Sequence, residues 1–230
     1  MKILILGDGK LGNEFHKQTG WDFLSRKKNK IEVSNFDDWS YKLLNYDLIL
    51  NCIANTNTYS ELKNEHLEIN FIFVSKLVNF CNQNQKKIVH ISTDYVYSNS
   101  KSNASENDVP IHTNNWYSYT KLLADSHIEV FSNNYLILRL SHKENPFPFD
   151  SAWTNVKTNA DHTEIITNLA IRIINADVNG IVNVGTPVKT IYELASKSNP
   201  NVQKILAPKK IPKNVTMNLK KMNEILKSKN

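Results

Sequence analysis

The stretch that most restricts the fold stands at the start of the chain. An apolar run, Met1-Lys-Ile-Leu-Ile-Leu6, is followed by Gly7-Asp-Gly9-Lys-Leu-Gly12 and a helix-forming segment from Asn13 to Thr19. The order strand, glycine turn, helix is what makes Gly-x-Gly-x-x-Gly informative, since the spacing alone recurs by chance. Gly7 permits a tight turn, Gly9 lets backbone approach a pyrophosphate, and Gly12 lets helix and strand pack closely, with amides at the helix start facing the anion. Only six glycines occur in the chain, and three of them stand in these six positions. The expected fold is therefore α/β: a Rossmann-type doubly wound parallel sheet that binds a dinucleotide at the carboxyl ends of its strands.

Further strands are expected at 21–25, 47–53, 87–91, 135–140 and 180–185. Helices are expected at 65–82, 116–131 and 164–175, with short ones at 190–197 and 219–227. Within 65–82, Leu67, Phe71, Val74, Leu77, Val78 and Cys81 recur at helical spacing and read as core packing. The polar segment 99–115, rich in Ser and Asn, reads as a long loop that would lie over a site as a lid. Residues 1–142 are expected to form the dinucleotide-binding domain and 143–230 a small, shortened C-terminal substrate lobe, ending in a basic tail.

Composition excludes several classes. No apolar run approaches the roughly 18 residues of a membrane span, and a strand beginning at Lys2 leaves no room for a signal peptide. A cytoplasmic protein is expected, with no membrane partner. The net charge is +6, but the tail holds Lys204, Lys209, Lys210, Lys213, Lys220, Lys221, Lys227 and Lys229 against Glu224 alone, and reads as a solvated surface rather than a nucleic-acid site. Cys52 and Cys81 lack metal-ligand spacing and read as reduced, buried, small hydrophobes, with no metal expected.

The chemistry-bearing residues cluster after the fourth strand. Ser92 and Thr93 are placed at its carboxyl end, where ligands of such sheets bind. Tyr117 and Lys121 are four apart, so one helix presents them on one face, one turn apart. An ammonium beside a phenol favours the phenolate, bringing its pKa down from about 10 toward the range of a working proton donor. After the second strand stands Arg26-Lys27-Lys28, with no acid to meet a ribose hydroxyl. That favours the 2′-phosphate of NADP(H), with NAD(H) left open.

The glycine turn, Ser92-Thr-Asp-Tyr-Val-Tyr97 and Tyr117-Ser-Tyr-Thr-Lys121 together resemble the extended short-chain dehydrogenase/reductase superfamily, in its dTDP-4-dehydrorhamnose reductase-like branch. The turn is one residue shorter between its first two glycines than is usual there, with Gly9, Lys10 and Leu11 aligned to the phosphate-contacting segment. The resemblance implies an NAD(P)H-dependent reductase of a 4-keto sugar nucleotide. It implies Tyr117 as proton donor, Lys121 as the group that tunes it and holds the nicotinamide ribose, and Thr93 as a hydrogen-bond donor to the same substrate oxygen. Asn35-Phe36 match the pair lining the adenine. Ala54, Asn55 and Thr56 match the segment along the ribose and nicotinamide, and Asn70 matches a structural helix asparagine. Asp94, Tyr95 and His142 are implied as contacts to the substrate sugar. Tyr95, standing where sugar-nucleotide dehydratases carry Glu, favours reduction over elimination. A 4-epimerase stays open because it uses the same Tyr and Lys. From another class, a non-catalytic NADP-binding regulatory subunit stays open as well. A homodimer is compatible with the short lobe, whose site is expected to be open and shallow.

Overall fold

The computed structural model describes residues 1–112 and 115–228; Thr113 and Asn114 of the polar loop and Lys229 of the tail lie outside the described residues. The main strands grow from the apolar runs: β1 (Ile3–Leu6), β2 (Asp22–Leu24), β3 (Leu48–Asn51), β4 (Lys87–Thr93) and β5 (Tyr135–Leu140). Short strands β6 (His142–Lys143), β7 (Ser151–Trp153), β8 (Lys157–Thr158) and β9 (Asp161–His162) precede β10 (Gly180–Val184), and β11 (Lys189–Thr190) and β12 (Gln203–Ile205) follow it. The central six-stranded sheet has the order β10-β5-β4-β3-β1-β2. β1 pairs in parallel with β2 and with β3, and β3 with β4. The order reverses between β1 and β3, which makes that point the crevice for a ligand. β1 and β3 are buried throughout, as strands with helices on both faces must be.

The helices are α1 (Lys10–Thr19), α2 (Arg26–Asn29), α3 (Phe36–Trp39), α4 (Lys63–Leu67), α5 (Phe73–Gln83), α6 (Trp116–Phe131), α7 (Thr163–Asn175), α8 (Ile191–Ala195) and α9 (Lys220–Lys227). Two sequence expectations are corrected. α1 begins at Lys10 rather than Asn13, because Gly9 in an extended conformation (φ −65°, ψ −178°) already serves as its N-cap. The helix expected at 65–82 is α4 and α5 joined through a π-helical turn, Glu68–Ile72, which widens the backbone around buried Asn70. α6 and β5 fall where the apolar spacing puts them.

Two compact units share the chain. The first comprises Met1–Ser92, Asn114–Leu138 and Asp177–Ile181. Its core joins Leu4, Leu6, Ile49, Ile88 and Ile137 of the sheet to Phe73, Leu77 and Val78 of α5 and to Phe36 and Trp39 of α3. The second comprises Thr93–Thr113, Arg139–Ala176 and Val182–Asn230. It pairs β7 with β12, β8 with β11 and β6 with β9 and packs around Phe147, Val156, Ile191 and Val202. Buried Arg139 in this unit donates to the Tyr97 hydroxyl at 2.5 Å, and that hydroxyl donates to Asn183 Oδ1 at 3.2 Å. The last residue of the Ser92–Tyr97 hexapeptide is thus part of the frame. Among the described residues no helix is long and apolar enough to cross a membrane, and no cluster has the make-up of a metal site.

Candidate functional site

The glycine turn of the first unit is held by its own backbone. Gly7, at φ +99°, donates its amide to the Leu24 carbonyl at the end of β2 (2.8 Å). A Cβ on Gly12 would stand 2.1 Å from the Gly7 carbonyl oxygen, so no side chain fits there. A Cβ on Gly9 would meet nothing within 4 Å; this face of the turn is open. α1 has no side-chain cap and no acidic residue in its first turn, which contains Lys10, Leu11 and Gly12. The first amides of a helix have no intrahelical acceptor, so its positive end suits an external anion.

A cavity of about 300 Å³ adjoins the turn, lined by Gly7, Gly9, Arg26, Glu32, Ile53 and Ala54 among others. Its open glycine face, cation and apolar wall fit the adenosine diphosphate portion of a dinucleotide. Arg26-Lys27-Lys28 opens α2 instead of forming a loop, with the Ser25 hydroxyl accepting the Lys28 amide. Lys28 Nζ lies 4.5 Å from the centroid of the Phe23 ring, whereas Arg26 lines the cavity. Glu32 lines the same cavity, an acid that the sequence reading did not single out. Asn35 is exposed, and Phe36 lies edge-on to Trp39 (5.0 Å) and Phe73 (5.7 Å) in the core. Ile31, Glu32 and Val33 form the wall beside the cavity in its place. Phe36 and Trp39 are three apart on one short helix, so burying one buries the other. Cys52 is half-buried at the cavity rather than in the core, and Cys81 is fully buried; burial pushes both thiols up, to about 12 for Cys81.

Asn70 shapes the loop after β3. Its Oδ1 accepts the Asn55 amide (2.8 Å), and its Nδ2 donates to the Asn55 carbonyl (3.1 Å) and to Thr120 Oγ1 (3.1 Å). Ala54 and Asn55 are half-buried and Thr56 is exposed. On α6, Tyr117 is half-buried with its ring 6.5 Å from that of His66. One turn on, Lys121 is buried, and its Nζ donates to the Ile91 carbonyl at 2.6 Å and lies 2.9 Å from His90 Nε2. Burial lowers the Lys121 pKa to about 8, against the pull of Asp125 and Cys52. Burial, with the nearby lysine, holds His90 well below the usual histidine range. His90, which meets its cross-strand neighbour Asn51 at 3.1 Å, was missed by the sequence reading. The signal was there: it is a polar residue in an otherwise apolar strand run.

The second unit holds Thr93, Asp94, Tyr95 and His142. Ser92, on the first unit's side of the sequence boundary, donates to Asp125 Oδ2 (2.9 Å). Thr93 Oγ1 accepts the Tyr95 amide (3.2 Å) and donates to Asp94 Oδ1 (3.3 Å), starting the 3₁₀ turn Asp94–Tyr97. Asp94 is buried, and desolvation pushes its carboxyl up to about 6 although Lys143, Thr93, Thr158 and Ser141 all pull the other way. Tyr95 is half-buried. His142 is half-buried, its Nδ1 2.9 Å from Thr163 Oγ1.

Residues 1–143 match the family described as "RmlD substrate binding domain". The chain is similar in structure to a hypothetical dTDP-4-dehydrorhamnose reductase from Sulfolobus tokodaii, with TM-score 0.84, 22% identity, and coverage of 98% of this chain and 95% of that one. It is also similar to the dTDP-4-dehydrorhamnose reductase from Bacillus anthracis in complex with NADP (TM-score 0.82, 19% identity, 97% and 92% covered). A third likeness is to the UDP-glucuronic acid 4-epimerase from Bacillus cereus in complex with NAD (TM-score 0.78, 16% identity, 99% and 90% covered). At these identities the likeness is one of fold. No curated protein matches the chain.

Proposed function

The chain belongs to the RmlD substrate binding domain family, and from that premise we propose that it is an NAD(P)H-dependent reductase of a 4-keto sugar nucleotide. The observation that carries the reading is the buried Lys121 ammonium site, fixed to β4 one turn from Tyr117 on α6, in the unit that also holds the glycine-turn cavity. When bound, the reduced nicotinamide supplies the hydride. Negative charge then grows on the substrate's carbonyl oxygen and calls for a proton and a hydrogen bond. Tyr117 gives the proton, and Lys121 sets the phenol's acidity. Gly7, Gly9, Lys10, Leu11 and Gly12 take the pyrophosphate, Arg26 the 2′-phosphate, and Ala54, Asn55 and Thr56 lie along the nicotinamide half. Thr93 is assigned the hydrogen bond, and Asp94, Tyr95 and His142 the substrate sugar.

The test is NADPH oxidation with a panel of 4-keto nucleotide sugars. Tyr117→Phe keeps the ring but removes the transferable proton, so turnover falls by about 10²–10⁴-fold while cofactor affinity is kept. Cofactor binding without oxidation by any 4-keto sugar, together with a silent Tyr117→Phe, replaces the reductase with the regulatory reading. A 4-epimerase is favoured by one observation, Glu32 in the cavity, since an acid there suits the ribose hydroxyls of NAD. Interconversion of 4-epimers with no net consumption of NADPH would select it.

A further inference from the structure

Asn51, His90 and Lys121 form a buried chain: Asn51 Nδ2 lies 3.1 Å from His90 Nδ1, and His90 Nε2 lies 2.9 Å from Lys121 Nζ. The direction of each bond follows from one end. The Ile53 backbone N–H donates to Asn51 at 3.0 Å; an N–H can only donate, so the atom it meets is the amide oxygen and the atom facing His90 is the NH₂ group. Asn51 therefore donates to Nδ1. The lone pair is then on Nδ1, and the single ring proton of neutral His90 is on Nε2, aimed at Lys121.

An ammonium has three donors and no acceptor, whereas an amine has one acceptor site. Protonated Lys121 therefore sets N–H against N–H at His90, while the amine accepts the Nε2 proton and still donates to the Ile91 carbonyl. Turning the Asn51 amide over only moves the conflict to the Ile53 N–H. Charging His90 would put two cations 2.9 Å apart. We propose that Asn51 and His90 are positioning residues that favour the amine form of Lys121 and so set how readily it loses its charge. In the proposed reductase, on which this role rests, the chain thereby sets the pH at which Lys121 ceases to favour the Tyr117 phenolate. The amine form is held by the His90 N–H.

The other groups that bear on Lys121 are Asp125, one turn on in α6, and Cys52 after β3, with His66 against the Tyr117 ring. A negative Asp125 favours the ammonium and opposes the chain; its Oδ2 is already bonded to Ser92. Burial acts with the chain, and the depressed Lys121 pKa is in keeping with their sum.

The experiment is ¹⁵N NMR of the His90 ring, assigned by its loss in His90→Gln, with a ¹³Cε titration of Lys121 assigned by Lys121→Met. Wild type is expected to show the Nε2–H tautomer. Asn51→Asp places acceptor oxygens at both the Ile53 N–H and His90 Nδ1, so the ring proton moves to Nδ1 and Nε2 accepts from the ammonium. The Lys121 midpoint then rises by about 1–3 units, the size of a newly favourable charged partner. An Nδ1–H tautomer in wild type overturns the proposal even if Asn51→Asp does not fold. So does a Lys121 midpoint unmoved by a tautomer that has switched. Neither readout needs turnover: correct tautomers in a protein inactive on every 4-keto sugar uphold the chain and sink the reductase, and the reverse result sinks only the chain.

Discussion

Replacing Asp94 by Asn gives a stability change that depends on pH in a defined way. Asp94 is 1% exposed, and its carboxyl is raised from 3.8 to about 6, chiefly by burial. The folded protein therefore keeps the Asp94 proton where the unfolded chain has released it. The group's stabilising contribution is full below about pH 4 and lost as pH rises through about 6. At about 1.4 kcal/mol per unit, the ionised carboxylate costs roughly 3 kcal/mol at neutral pH. Asn has nearly the same shape, keeps an acceptor for the Thr93 hydroxyl and presents an NH₂ that the Thr158 hydroxyl can accept. Its own packing effect does not vary with pH, so the informative quantity is the difference between variant and wild type across the titration. Urea unfolding followed by circular dichroism should show Asp94→Asn gaining about 2–3 kcal/mol on wild type between pH 4 and pH 7.5, about 1 M in midpoint. A difference that stays flat with pH, or that moves against the variant as pH rises, would refute the assignment of buried Asp94 as a destabilising charge.

Other perturbations separate frame from site. Gly12→Ala drives a Cβ into the Gly7 carbonyl, which is backbone and cannot swing aside; a cost of about 2 kcal/mol or more should lower Tm by roughly 4–8 °C in a scanning calorimeter. Gly9→Ala meets no neighbour within 4 Å, so Tm should hold while fluorescence titration shows weaker dinucleotide binding. Arg26→Ala should weaken NADPH by at least about tenfold and NADH little, and Glu32→Gln should do the reverse, because the two side chains line one cavity with opposite charge. Phe36→Ala empties a core position and should cost about 3–5 kcal/mol in urea unfolding, with NADPH affinity unchanged at low temperature.

The alternation of apolar runs and amphipathic stretches was enough to read an α/β sheet, and for α6 and β5 it marked both ends, because burial on one face is a local periodic property. The glycine turn and the one-turn spacing of Tyr117 and Lys121 were legible for the same reason: each depends on neighbours within a few residues. Three things were not. The side chain of Phe36 went to the core because Trp39 and Phe73 were there to receive it, and only packing chooses between a core and a cavity for an aromatic. The π turn at Asn70 answers to the Asn55 loop 15 residues away. Asn51 and His90 stand 39 residues apart and meet because β3 and β4 adopt one register. A shift of that register by one residue would turn His90 to the other face and leave Lys121 without it. Register is set by the sum of pairings across the sheet, so no stretch of sequence carries it, and the surroundings of Lys121 belong to the tertiary structure alone.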